Sequence, residues 1–116
     1  MGFEPFAGDL MGLPTNENHL VIKWVTEKDC KILFSLVQQG KAISGHFASD
    51  KKGLRFLKEA IKEFCEFVFS DQHIEVILAK VIKPSVGRFI SQCGFEKVFT
   101  DDNNVEVYAR YRTWAL

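Results

Sequence analysis

The sequence predicts an α/β (α+β) domain built on one mixed sheet, and three observations predict it. Three short β-branched segments stand close together in the first half of the chain, as an antiparallel three-strand meander requires. A segment of helical period then leads directly into another apolar strand, the pattern of a strand–helix–strand crossover. The chain closes with a second short helix, a glycine and two strand-like runs joined by DDNN (101–104).

Residues 1–18 mix Gly, Pro, Asn and acidic residues with Phe3, Phe6, Leu10 and Leu13. They read as an irregular N-terminal arm, with room for one helical turn, tacked to the core by its phenylalanines. A single domain spans 19–116. Within it LVIKWVT (20–26) alternates apolar and polar residues, and TEKD supplies the turn. KILFSLVQ (31–38) is nearly continuous in apolar residues, as suits a central strand. After Gly40, AISGHFAS (42–49) completes the meander.

The period then changes. Leu54, Leu57, Ile61, Phe64 and Val68 recur at spacings of 3, 4, 3 and 4, one stripe of an amphipathic helix. Ser49 or Asp50 is placed to cap its start, and Glu59, Glu63 and Glu66 read as its solvated side. IEVILAKVI (74–82) is too short and too β-branched for a helix and reads as a buried strand beside 42–49. Pro84 and Ser85 open the last helix, with Val86, Phe89, Ile90 and Cys93 on its inner face, and Gly94 ends it. FEKVFT (95–100) and VEVYARYR (105–112) form a closing hairpin. The expected core includes Leu36, Leu57, Ile61, Phe64, Ile77, Val81, Phe89 and Phe95.

Composition narrows the function classes. The 116 residues carry 47% hydrophobic and 13% aromatic residues, those of a packed globule. Fifteen basic and fifteen acidic residues cancel without a basic block, which removes the usual electrostatic basis for nucleic-acid binding. Three scattered cysteines without a C-x-x-C pair argue against a disulfide framework and a zinc site, so no metal is expected. No apolar run approaches a membrane span and no signal-peptide pattern opens the chain, so the expected location is cytoplasmic. Neither a P-loop nor an H-E-x-x-H pattern occurs.

The stretch KPSVGRFISQCGFEKVF (83–99) carries a resemblance. The order of elements, and this corner in particular, resembles the GNAT N-acetyltransferase superfamily, whose members end in a strand, then N-x-x-A-x-x-hydrophobic-Y-x-x-x-G-F, then a hairpin. Lys83 stands at the asparagine position, Val86 at the alanine, Ile90 at the tyrosine, and Gly94-Phe95 match the closing pair. The family's second motif, R/Q-x-x-G-x-G/A, falls on Asp50-Lys51-Lys52-Gly53-Leu54-Arg55, where only Gly53 fits. The resemblance covers roughly residues 20 to 112. The front of the chain departs from the family, because eighteen residues cannot hold the two helices that normally precede the meander. In this reduction it resembles small bacteriophage-encoded GNAT-like proteins.

The resemblance implies an acetyl-CoA-dependent N-acyltransferase that transfers an acyl group to an amine. Acetyl-CoA would lie in a gap between the third meander strand and strand 74–82, its pyrophosphate over the backbone amides near Gly53. Phe47, Ala48, Lys51, Lys52, Gly53, Leu54 and Lys83 are the implied cofactor-binding positions. For proton transfer, His46 is the candidate base and Tyr108 a substitute for the acid missing at Ile90. A histidine on a half-exposed strand is more commonly solvated, tyrosines in a terminal hairpin commonly pack, and Gly45 reads equally as a bulge or a close contact. The alternative is a catalytically inactive GNAT-fold interaction protein, such as a phage virion or head-assembly component, whose partner is another protein. A homodimer stays open.

Overall fold

The computed structural model describes residues 2–13, 18–81 and 84–112. Seven strands form one sheet in the order β1-β2-β3-β4-β5-β7-β6. They are β1 (Gly2–Pro5), β2 (Leu20–Val25), β3 (Ile32–Gln39), β4 (Ala42–Ser49), β5 (Val76–Val81), β6 (Glu96–Thr100) and β7 (Glu106–Tyr111). Between β4 and β5 run a 3₁₀ turn (Lys52–Phe56) and helix α1 (Leu57–Phe69), and helix α2 (Pro84–Ser91) joins β5 to β6. β4 and β5 are parallel neighbours and the other pairs are antiparallel. The sheet is thus the mixed one expected, with the crossover where the change of period placed it.

Two elements differ from the sequence reading. Gly2–Pro5 of the N-terminal arm is a strand, not irregular chain, and pairs with β2 from Gly2↔Val25 to Pro5↔Ile22. The proline is tolerated because β1 is a sheet edge, where a missing N–H interrupts no central ladder. Phe3 explains the docking: its ring meets Phe34, Phe64 and Phe67 at centroid distances of 5.7, 6.1 and 5.2 Å. The long helix also starts later than its apolar stripe. Lys52–Phe56 winds at three residues per turn, which rotates Leu54 off the stripe and leaves it 58% exposed.

The core lies between the sheet and both helices. Leu57, Ile61, Phe64 and Val68 of α1 are buried with Ile32, Phe34, Leu36, Ile77 and Val81 from the sheet. Phe64 stacks flat on Phe34 at 4.3 Å. Glu63 is not on the solvated side: it accepts the indole N–H of Trp24, itself 1% exposed, at 3.1 Å. On α2 it is Ile90 that is buried, while Val86, Phe89 and Cys93 are partly covered. Phe89 is thus a correction to the expected core, since an eight-residue helix on a sheet fully buries only a narrow stripe.

The corner after α2 is built as the glycine implied. Gly94 takes φ +91°, and the Phe95 N–H reaches back to the Ile90 carbonyl at 3.3 Å, the long-range bond of a Schellman end. Phe95 then drops into the core. The packing predicts unequal truncations. Phe64→Ala should cost about 3–5 kcal/mol and Phe89→Ala clearly less. Urea denaturation of both variants checks this, and equal losses would contradict the burial pattern.

Candidate active site

The site begins where two strands part. β4 and β5 pair only from Ala42↔Val76 to Gly45↔Ala79. Beyond that point β4 continues through His46, Phe47, Ala48 and Ser49 still bonded to β3, and β5 continues through Lys80 and Val81 still bonded to β7. The backbone edges facing each other across this opening therefore have no strand partner. Such edges are ready to pair with an extended amide-bearing ligand.

A cleft of about 430 Å³ occupies the opening, lined by Gly12, Gly45, His46, Phe47, Ala79, Lys80, Val81 and Val86. A small apolar void of about 30 Å³ shares Gly45, His46, Phe47 and Ala79 and reaches Ile61, Phe64 and Ile90 on the helices.

Gly45 sets the geometry of its floor. The β3–β4 register is continuous across it, so it is not a bulge. A Cβ on Gly45 would stand 3.7 Å from the Phe64 ring, an ordinary contact, which places position 45 on the α1 face. Side chains alternate along a strand, so Phe47 shares that face and His46 points to the other.

His46 is half-buried and stays neutral more readily than an ordinary histidine. Burial is the main cause, followed by the charges of His19 and Lys80. His19 lies on the segment that enters β2, and its Nδ1 is buried without a hydrogen-bond partner among the described residues. A base of depressed pKa beside an open cleft is the arrangement that proton abstraction needs at neutral pH.

Tyr108 is placed elsewhere. It pairs with Ala79 and so shares the helix-covered face, opposite to His46. Its hydroxyl donates to Glu106 at 3.3 Å and abuts Gly87 of α2, where any Cβ would collide with the phenol. Burial, then the Glu106 charge, raise its pKa. Tyr108 does not line the cleft. Ile90, at the position of the family's tyrosine, is fully buried.

At the far end of β4 lies the loop that was expected to hold a diphosphate. Its Gly53 amide is already taken. The Asp50 carboxylate accepts the Gly53 N–H through Oδ1 at 2.8 Å and the Lys31 N–H through Oδ2 at 3.1 Å. A Cβ on Gly53 would collide with Ser49 Oγ and come within 2.9 Å of Ile32 Cγ1 and 3.0 Å of Asp50 Oδ1. The glycine is therefore required by the protein's own packing and not by the approach of a ligand. Lys52 is paired with Asp29 at 2.8 Å, while Lys51 and Leu54 are exposed. Lys83 lies outside the described residues. These residues do not fit a bound diphosphate.

The structure thus brings His46 and Phe47 into one cleft, places Ala48 further along the open edge of β4, and separates them from Tyr108. Sequence reasoning missed Lys80 and Val86, which the strand alternation of 76–81 and the spacing of the last helix could have supplied. It also missed Gly12 and His19, whose positions depend on the course of the arm and leave no local signal. Among the described residues no group of three or more His, Cys, Asp and Glu is placed to hold a metal ion, and no helix is long and apolar enough to cross a membrane.

The architecture defines a class: the chain has the fold of the GNAT N-acetyltransferases. Spermidine/spermine N-acetyltransferase SpeG from Vibrio cholerae, a structure in complex with manganese ions, superposes with a TM-score of 0.64 at 13% identity, over 83% of this chain and 66% of that one. AAC(6')-Ib in complex with ribostamycin and coenzyme A superposes with a TM-score of 0.66 at 15% identity, over 83% and 65%. The same protein in complex with acetyl-CoA gives 0.65 at 15% identity, over 83% and 66%. The chain thus spans about two thirds of the length of these proteins. No protein-family model matches the sequence, and no curated protein sequence matches it.

Two measurements test the geometry. Because burial and neighbouring charge lower the folded-state pKa of His46, its contribution to stability is complete above the unfolded pKa of about 6.5 and is lost as pH falls toward the lower folded value. His46→Gln should flatten the pH dependence of Tm between pH 7 and 5, and an unchanged slope would show that His46 is solvated. Gly87→Ala should lower Tm, although alanine is the better helix former by about 1 kcal/mol, because the methyl meets the Tyr108 phenol. A raised Tm would mean that Tyr108 is not under α2.

Proposed function

We propose that the protein is an N-acyltransferase that moves an acyl group from a thioester to an amine. One observation carries this reading: the parting of β4 and β5 into a cleft with free backbone edges and His46 beside it. The amine nitrogen attacks the thioester carbonyl carbon, the new C–N bond forms, and the C–S bond breaks to release a thiolate. His46 accepts the amine proton, and backbone N–H groups along the open edge of β4 stabilise the developing oxyanion. The neighbours of like fold were solved with coenzyme A and acetyl-CoA, which supports an acyl thioester of that type as donor.

The acceptor class follows from the lining. Lys80 and His46 contribute the polar side chains of the cleft, and no carboxylate lines it among the described residues. This favours an amine that carries no further positive charge and disfavours a polyamine. Tyr108, behind the strand and off the cleft, keeps its proton through neutral pH and donates its hydroxyl to Glu106.

A second reading is a non-catalytic interaction protein, of the kind found in a phage particle or its assembly. The buried, acid-free Ile90 at the tyrosine position favours it. Transfer from acetyl-CoA to a panel of amines, followed by thiol release, separates the two. Activity should be greater with neutral aryl or aminoacyl amines than with spermidine, and His46→Gln should lower kcat by roughly 10²–10⁴-fold. The acid limb of kcat/KM should fall below pH 6.5, since the free base has a depressed pKa. No thiol release with any amine, from a folded protein, leaves the interaction protein.

A further inference from the structure

The loop at the start of the 3₁₀ turn carries its own anion. Three independent contacts fix the Asp50 residue: its N–H donates to the Lys31 carbonyl at 2.9 Å, its Oδ2 accepts the Lys31 N–H, and its Oδ1 accepts the Gly53 N–H. The Gly53 N–H is also within 3.1 Å of the Asp50 carbonyl, which in turn accepts the Ser49 hydroxyl at 2.8 Å. A carboxylate at the start of a helix is the favourable partner of its unpaired N–H groups. An external phosphate seated there would compete for the Gly53 N–H and would have to approach a negative charge. Lys52, the neighbouring cation, is held outward by Asp29. The loop is closed chemically as well as sterically, because Gly53 turns its α-carbon against Ser49, Ile32 and Asp50.

The cleft, by contrast, stays open. It begins at Gly45 and Ala79, four residues before the end of β4, and its free edges suit the amides of a pantetheine arm. We propose that the acyl donor is recognised through its pantetheine thioester alone, the nucleotide diphosphate contributing no affinity, because the Asp50 carboxylate already holds the Gly53 amide at the start of the 3₁₀ turn and places a negative charge there. This rests on the acyl-transfer reading for the cleft, but the occupation of the loop does not. The donor class is then any acyl-pantetheine thioester, whatever stands at the far end of the arm.

The two parts can be tested in one experiment. The full chain, labelled with ¹⁵N, is titrated separately with inorganic pyrophosphate, coenzyme A and pantetheine while amide shifts are followed. Pyrophosphate should leave the Gly53 and Leu54 amides unmoved, and coenzyme A and pantetheine should shift Phe47, Ala48 and Lys80 with Kd values within threefold. A saturable shift of Gly53 with pyrophosphate, or coenzyme A binding more than tenfold tighter than pantetheine, overturns the proposal. Silence of Phe47, Ala48 and Lys80 toward both thiols overturns the acyl-transfer reading and the donor class with it, while Gly53 still reports on the loop by itself. Asp50→Ser keeps a capping oxygen and removes the charge. In that variant, checked for folding by its own spectrum, Gly53 should respond to pyrophosphate and coenzyme A should gain at least tenfold over pantetheine. An unresponsive Gly53 there shows that the carboxylate is not what excludes the anion, and the proposal fails.

Discussion

The brevity of the parallel pairing between β4 and β5 governs the molecule. Each strand has a full partner on its outer side: β4 holds β3 over Ile32↔Ser49 to Gln39↔Ala42, and β5 holds β7 over Val76↔Tyr111 to Val81↔Glu106. The sheet twist can therefore separate the inner edges without unravelling either half. The separation is held from above. Phe64 lies over Gly45 and stacks on Phe34, so α1 is keyed to the unsplit part of the sheet. Trp24 and Glu63 tie the same helix to β2, and Lys28, between β2 and β3, pairs with Glu59 in its first turn.

Much of this was legible because it follows from period. The meander, the crossover and the hairpin are read from the alternation in 20–49, the 3-4-3-4 spacing in 54–68 and the β-branched run in 74–82, and the glycine corner from Gly94. What was not legible depends on partners distant in sequence. Gly2–Pro5 is a strand only because β2 offers an edge and Phe3 finds Phe34, Phe64 and Phe67. Leu54 left its stripe because one turn tightened. Glu63 left the solvated side because an indole N–H, buried in the core, needed an acceptor. Among the residues that line the cleft, His46 and Phe47 came from the resemblance, which places a gap beside the third meander strand. Gly12, which lines the cleft, and His19, whose charge bears on His46, were not legible, because no period in that part of the sequence fixes where they lie.

The loop around Gly53 shows why a motif position is not a motif function. A glycine at that place satisfies the pattern of an anion-binding turn, but the same residue type is needed whenever an α-carbon packs closely against protein. Here the nearest neighbours of the absent Cβ are Ser49, Ile32 and Asp50. Asp50, read from sequence as a charge that repels phosphate, in the structure accepts the N–H of Lys31, just ahead of β3, and that of Gly53 at the helix start. The two descriptions have one cause, since a carboxylate that satisfies helix amides does so by standing where an external anion would stand.

The cleft has two chemically different walls, and this limits what the fold alone can imply. On the helix side it is lined by Phe47, Val81 and Val86 and closed below by Phe64, surfaces suited to an apolar arm. On the other side stand His46 and Lys80, with His19 near enough to bear on His46. A second positive charge on an acceptor would meet Lys80 with no carboxylate in the lining to offset it. The shared architecture with a spermidine N-acetyltransferase therefore does not carry over its acceptor, because recognition of a polycation resides in side chains and not in strand order. What the architecture does carry is the opening between β4 and β5, which depends on backbone pairing alone. On the proposed acyl-transfer reading, side chains at 46, 50 and 80 would decide which donor and which amine that opening accepts.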